Sequence, residues 1–426
     1  MSDLVVSRIV GSTLVRVGLI SRTRMLPTFT YDGDYLAWEE AIPLSRSLPL
    51  RRTEFDATAV RPYFDGLLPE GPTRAALAAR AETSEDDYLT LLELGGLDCV
   101  GDVVVRPVGS PDEDWNEGSY VPLTQCEMID LFKGFDTLAT MNLESRLSLA
   151  GTQGKVGLTH RPDRPIDAGW LRPVGGAGST HILKATYNSR IGEFEAICMR
   201  AACSCGLHAA TTDAIFAGRP VVVSERYDRS VTTCGSSVCV TRLHQEDLAQ
   251  AFGLSSASKY LELPGGTYAS VSSLLHERSA SVMEDIEQLA RIAVYDYLVG
   301  NCDNHLKNLS VVYRGATMRL APVYDVTCTT FFERFDRTMG RRLGSASRID
   351  DVEPSDFGAL ARELGMGSRR MRAICEDMAE SIVPSILEAG EYLDEKIEGI
   401  AFAAEDLVEE LGERREVVRA VGMGYS

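Results

Sequence analysis

The segment Gly300-Asn-Cys-Asp-Asn-His-Leu-Lys-Asn308 carries the residues of this chain best suited to chemistry. Asp303 and Asn308 stand five positions apart, between an apolar helical run and a short apolar strand. A carboxylate and a neutral amide oxygen at that spacing suit phosphoryl transfer. The carboxylate sits by an attacking hydroxyl while the amide oxygen reaches a metal ion next to it, and a tight loop keeps the two close. A plainer reading is a helix end and a turn, where Asn, Asp and Gly collect because they bond local backbone. Taken alone, the segment favours that plainer reading.

Four further pieces change the balance. Residues 309–313 and 318–320 flank Arg314-Gly-Ala316 and can form a hairpin, which would return Asp325 to the neighbourhood of Asn308. A carboxylate beside an asparagine oxygen is a magnesium site in type, although a strand-end aspartate also caps turns. Lys184 ends His181-Ile-Leu-Lys184, and Glu195 follows at the start of a helix. A lysine ending a buried strand needs an anionic partner, a phosphate or a carboxylate. In Leu149-Ala-Gly-Thr-Gln-Gly-Lys155, Gly151 and Gly154 flank Thr152 and Gln153. Such a turn exposes N–H groups that can cradle phosphates, and it can equally be an ordinary hairpin turn. Val223-Ser-Glu-Arg-Tyr-Asp-Arg229 leaves an apolar strand, either presenting Glu225 and Tyr227 to an adenine or simply ending in charged residues. The order is more telling than any piece. Glycine turn, strand lysine, helix glutamate, hinge, catalytic loop and metal aspartate follow one another as they do in protein kinases.

The elements that must hold these groups are legible from periodicity and turn residues. Residues 4–9 and 13–20 read as strands, and Asp32-Gly33 between 28–31 and 35–38 reads as a hairpin. Helices are expected over 74–80 and 88–94. A polar, acidic stretch over 107–118 marks a domain boundary. Residues 147–159 suggest two strands joined by a glycine turn, 181–184 and 220–225 single strands. Residues 193–205 have helical spacing ending at Gly206, and 286–299 form a largely apolar core helix ending at Gly300. Beyond about residue 354 helices dominate. The acidic run Glu405, Asp406, Glu409, Glu410 and Glu413 reads as a solvated helix face.

Composition narrows the function classes. The net charge of −19 opposes strong nucleic-acid binding by the chain itself and suits a basic partner. No apolar stretch is long enough to cross a bilayer, and the N-terminus lacks a signal-peptide pattern, so a cytoplasmic protein is expected. Ten scattered cysteines match no common zinc spacing and are expected to be reduced, mostly buried thiols.

The chain resembles the HipA family of bacterial serine/threonine kinases, the toxin halves of toxin–antitoxin pairs. The resemblance rests on Phe64-Asp-Gly-Leu-Leu-Pro-Glu-Gly71, Ser148-Leu-Ala-Gly-Thr-Gln, His181-Ile-Leu-Lys184, Glu225-Arg-Tyr-Asp-Arg229, Gln245-Glu-Asp-Leu-Ala-Gln-Ala-Phe-Gly-Leu254, Gly300 to Asn308 and Pro322-Val-Tyr-Asp325. It implies an α+β fold: a two-lobed kinase-like core with a small β-rich N-terminal part and a mostly helical C-terminal lobe. The expected parts are 1–108, an ATP-binding region over 119–230, and a catalytic lobe over 231–426. It implies ATP and Mg2+ as cofactors, Asp303 as catalytic base, and Asn308 and Asp325 as magnesium ligands. Lys184 would hold ATP phosphates together with Gly151, Thr152 and Gln153, and Glu225 and Tyr227 would meet the adenine. Ser148 matches an autophosphorylated serine whose modification switches the kinase off. Family members phosphorylate proteins, including an aminoacyl-tRNA synthetase, and commonly pair with a small helix-turn-helix antitoxin that binds operator DNA. Two other functions fit the residues: an ATP-binding co-repressor with little catalysis, and a kinase-like enzyme acting on a small molecule or transferring nucleotide. Gly154 stands where a glutamate is usual, and Cys302 where threonine or serine is frequent. Arg334, Arg337, Arg341 and Arg342 follow the family poorly and read as a substrate-facing loop or a solvated basic turn.

Overall fold

The computed structural model describes residues 2–22, 26–110, 118–134, 141, 154–186, 188–234 and 237–424. Helix accounts for 41% and strand for 24%, the mixed composition expected. The chain forms two compact units. One contains residues 1–186, 217–258 and 312–316, the other 187–216, 259–311 and 317–426.

The first unit begins with β1 (Leu4–Val10), β2 (Thr13–Ser21) and β3 (Thr28–Tyr31). With β4 (Val103–Pro107) they make an antiparallel sheet in the order β3-β2-β1-β4. Leu4, Val6, Ile20 and Phe29 on this sheet meet Tyr63, Phe64 and Leu92 in one buried cluster. The expected hairpin at Asp32-Gly33 is absent. Residues 33–37 form a short helix, α1 (Gly33–Ala37), because the Asp32 carboxylate caps it by accepting from the Asp34 N–H. Tyr35 is thereby buried and bonds the Ile42 carbonyl at 2.7 Å. Then come α2 (Ala57–Gly66), α3 (Gly71–Arg80) and α4 (Tyr88–Gly95), the last two as expected.

The same unit carries β5 (Ser119–Pro122), α5 (Gln125–Leu131), β6 (Lys155–His160), β7 (Trp170–Val174) and β8 (His181–Lys184). After α6 (Ser189–Ser204) and β9 (Thr212–Phe216), which belong to the second unit, the chain returns as β10 (Pro220–Glu225). Strands β5-β7-β6-β8-β10 lie side by side, all antiparallel. A hairpin of β11 (Arg229–Cys234) and β12 (Ser237–Arg242) follows, then β13 (Gln245–Asp247) and α7 (Leu248–Ala251).

The second unit is mainly helical. Besides α6 it holds α8 (Thr267–Arg278), α9 (Val282–Val299), α10 (Pro354–Glu363), α11 (Ser368–Asp394) and α12 (Ile400–Gly422). Residues 289–299 of α9 are buried on almost every side, as a helix through a core must be. The small strands β14 (Ser310–Arg314), β15 (Thr317–Leu320), β16 (Thr338–Leu343) and β17 (Ala346–Arg348) follow it in sequence. Glu405, Glu409 and Glu413 are exposed on α12, the solvated face expected. Cys99, Cys198, Cys205, Cys302, Cys328 and Cys375 are buried free thiols, and Cys126 and Cys203 are exposed. Among the described residues no helix is long and apolar enough to cross a membrane.

Candidate active site

Helix α9 stops where the loop must begin. Gly300 adopts φ +76°, and its amide closes on the Tyr297 carbonyl at 3.2 Å. A side chain there would also collide, since a Cβ would lie 2.1 Å from the Thr330 hydroxyl. Two threonines hold this corner. The Thr329 and Thr330 amides donate to the Gly300 carbonyl at 3.0 and 3.2 Å. The Thr329 hydroxyl donates to that carbonyl at 2.9 Å and accepts from the Cys302 amide at 2.8 Å.

Below the loop lies a buried ion pair. Asp296 of α9 accepts from Asn301 Nδ2 at 2.7 Å and from the Arg341 guanidinium at 2.8 Å. The Arg341 amide donates to Asn304 Oδ1 at 3.0 Å. Burial pushes the Asp296 carboxyl up, and Arg341 with the loop asparagines pulls against it. Asn301 and Asn304 are therefore spent on structure, while Asp303 between them points outward with its side chain 50% exposed. The arginine-rich segment is mixed: Arg334 is exposed, as in a solvated turn, whereas Arg341 is not at the surface. Arg341 is a buried support, Arg337 pairs Asp350 at 2.7 Å, and Arg342 faces Glu262 and Glu363 at 3.3 Å each.

Asn308 closes the loop on itself, its Nδ2 donating to the Asp303 carbonyl at 2.8 Å. That bond fixes the amide's orientation and leaves Oδ1 as the oxygen for a cation. Tyr324, the residue before Asp325, reaches the same loop. The Tyr324 hydroxyl donates to the Lys307 carbonyl at 2.6 Å and lies 2.6 Å from the Ser310 hydroxyl. The Ala321 amide bonds the Ser310 carbonyl at 2.9 Å, so the chain does turn back on itself as expected. Asp325 itself sits at φ +61°, a left-handed conformation that costs a non-glycine residue energy and is kept where the surroundings enforce it. Two hard oxygen donors, the Asn308 amide and the Asp325 carboxylate, suit Mg2+, which commonly takes one or two protein oxygens and completes its shell with phosphate and water.

A tyrosine and a histidine complete this half. The Tyr260 hydroxyl donates to Asp303 Oδ1, and His305 Nε2 lies 3.7 Å from that oxygen. The two rings meet edge to face at 5.0 Å. Nothing in the sequence marks Tyr260, 43 residues before Asp303.

The first unit holds the other expected groups. Lys184 ends β8, buried, with Lys155 of β6 directly across from it and Val222 of β10 on its other side. Residues opposed across an antiparallel pair share a face. Two buried lysines therefore stand on one face of this sheet. Lys155 was not singled out from the sequence, because only the strand register reveals that it faces Lys184. Glu225 is exposed at the end of β10, and Tyr227 bonds Gln245 Oε1 through its hydroxyl at 2.9 Å. The residues between and after them turn inward. Arg226 pairs Asp228 at 2.8 Å and donates to the Ser179 hydroxyl at 2.9 Å. Glu195 lies in the second unit, buried within α6 rather than at its start, since the Asn188 side chain caps the helix earlier. Ser148, Gly151, Thr152 and Gln153 lie outside the described residues, as does the first strand expected over 147–159.

Known proteins place this arrangement. A model of the HipA-like C-terminal domain matches residues 147–386, and one of the HipA N-terminal domain matches residues 10–106. The Sinorhizobium fredii protein Y4mE is 33% identical over 382 residues, 86% of this chain and 88% of that one. The serine/threonine-protein kinase toxin HipA of Shewanella oneidensis is 25% identical over 367 residues, 82% of each chain. Among solved structures, HipA from the Shewanella oneidensis complex of HipA, HipB and operator DNA aligns with a TM-score of 0.82 at 22% identity over 99% of both chains, which shows a common fold. The chain is a kinase-like member of the HipA family and carries both the N-terminal and the C-terminal domain of that family.

Proposed function

We propose that this chain is a serine/threonine protein kinase that moves the γ-phosphoryl group of ATP to a protein hydroxyl. What carries the reading is the Asn308 bond to the Asp303 carbonyl, in a loop that Tyr324, the neighbour of Asp325, ties at the Lys307 carbonyl. Magnesium held by Asn308 and Asp325 would supply charge neutralisation on the phosphates. Asp303 orients the acceptor hydroxyl and takes its proton on a carboxylate oxygen. A bond forms between the acceptor oxygen and the γ-phosphorus, the bond to the β–γ bridging oxygen breaks, and its electron pair leaves on ADP. Positioning and electrostatics supply the rate. Lys184 would hold phosphate oxygens with the glycine turn of Gly151, Thr152 and Gln153, and Glu225 and Tyr227 would meet the base.

Two finer roles belong to the same proposal. Ser148 is the site of self-phosphorylation that turns the enzyme off. A small HipB-like antitoxin is the partner through which an acidic chain reaches operator DNA. The Shewanella complex supports this by its composition, and the charge of −19 supports contact through a partner.

The test is incubation of the full chain with labelled ATP and cell lysate, wild type beside Asp303→Ala, followed by phosphosite mapping. Wild type labels protein serines or threonines, and the variant loses about 10²–10⁴-fold in rate with its fold intact. Equal labelling by the variant, or nucleotide in place of phosphate on the product, rejects the reading.

A further inference from the structure

We infer that Tyr260 is a positioning residue for the catalytic base, an inference that rests on the kinase reading of Asp303. Its hydroxyl donates to Oδ1 of the Asp303 carboxylate. Asp303 is half exposed, so without a bonding partner its carboxylate would be free to turn among rotamers. A donor on one oxygen restrains the plane of the group.

The tyrosine is itself held, as a positioning group must be. Its ring packs edge to face on the buried His305 imidazole, two residues beyond Asp303. The carbonyl of the preceding residue, Lys259, accepts the Leu306 amide at 3.1 Å. Tyr260 is thus clamped to the loop it orients by its backbone neighbour, its ring and its hydroxyl. On the backbone side Asn308 holds the Asp303 carbonyl and Asn301 Oδ1 accepts the Asp303 amide at 3.2 Å. Asn301 and Asn308 thus hold the main chain of the base, while Tyr260, from outside the loop, bonds its side chain beside His305.

The opposite role is a plug, in which the phenol occupies the acceptor's place and must leave before reaction. The ring contact with the buried His305 imidazole and the hydroxyl bond to Asp303 favour positioning.

The experiment compares full-length wild type with Tyr260→Phe, which keeps the ring against His305 and removes only the hydroxyl. Self-phosphorylation and ATP hydrolysis are followed with labelled ATP, and Mg-ATP affinity by calorimetry. The expected result is a fall in kcat of roughly ten- to a hundred-fold with nucleotide affinity and melting temperature unchanged, because only the base is misaligned. A crystal structure of the variant shows the Asp303 carboxylate displaced from its wild-type rotamer. An unchanged kcat overturns the inference, and a raised kcat establishes the plug instead. If wild type transfers no phosphate, the kinase reading fails, and the Asp303 rotamer in the variant crystal still decides whether Tyr260 holds it.

Discussion

Asp325 adopts a left-handed backbone, seldom found in a residue other than glycine, and it is the carboxylate proposed to hold magnesium. Strain of this kind is retained where neighbours enforce it, and here the Tyr324 bond to the Lys307 carbonyl does so. Asp325→Asn keeps the size and tolerates the backbone, but it gives up the negative charge. We expect magnesium-dependent ATP binding to weaken by about ten-fold or more, with magnesium-free binding little changed, in calorimetry with and without the metal. Equal affinity in both titrations would remove Asp325 from the metal site. At this scale the sequence is informative about local contacts, as in the five-residue step that brings Asn308 onto the Asp303 carbonyl. It was silent on Tyr260 and on Lys155, since a residue 43 positions away and a cross-strand register have no local signature.

The elements that carry these residues show which physical signals survive in a sequence. Helix α9 was readable because an apolar run ended in a glycine that only a left-handed residue could replace. The Asp32-Gly33 turn was misread because the same aspartate that favours a hairpin also caps a helix, and burial of Tyr35 decided between them. The ion pair beneath the loop was hidden, since Arg341 looked like one of several surface arginines. Its energetics are testable. Arg341→Met leaves Asp296 buried and uncompensated, which should cost about 3–5 kcal/mol in denaturant unfolding, and adding Asp296→Asn should recover much of it. Additive losses in the double variant would show that the pair is not coupled. Strand β13 supplies a second case. Glu246 is buried, accepts from the Ser45 hydroxyl at 2.5 Å, from the Arg46 amide at 2.9 Å and from the Tyr313 hydroxyl, and burial pushes its carboxyl up to about 7. The folded state therefore holds this proton more tightly than the unfolded chain does. The stabilisation is complete below pH about 4.5 and is lost as pH rises toward 7, by about 3 kcal/mol in all. Glu246→Gln should flatten that slope in melts taken from pH 5 to 8, and an unchanged slope would assign it to other groups.

The whole molecule depends on its first hundred residues in a way that motif matching does not convey. Within the first unit, Asp98 is fully buried among three arginines, with Arg229 at 2.9 Å, Arg242 at 3.3 Å and Arg226 at 3.5 Å. Burial alone would raise its carboxyl, and the arginines together hold it below the ordinary range. Asp228 takes the Gly101 amide at 2.6 Å, while the carbonyls of Leu97, Cys99 and Gly101 accept from the same arginines. Farther along, His244 and Arg8 share Asp102, whose carboxyl they hold at about 2 against burial. The segment over residues 97–102 is thus the electrostatic counterpart of residues 226–244, which lead out of the strand bearing Glu225. A fragment starting at residue 119 would keep Arg226, Arg229 and Arg242 and lose Asp98 and three acceptor carbonyls. Arg226 and Arg229 would still share Asp228, whereas Arg242 would lose Asp98; breaking a buried pair costs about 3–5 kcal/mol, a large part of the about 5–15 kcal/mol that holds a typical domain. We expect the 119–426 fragment to show no cooperative melt by circular dichroism and rapid digestion by protease. Asp98→Asn in the full chain, by the same reasoning, should lose a few kcal/mol yet still fold. A fragment that melts cooperatively near the full-length temperature would mean that the arginines find water or other acceptors at little cost, and that the N-terminal residues are an appendage to the kinase-like region.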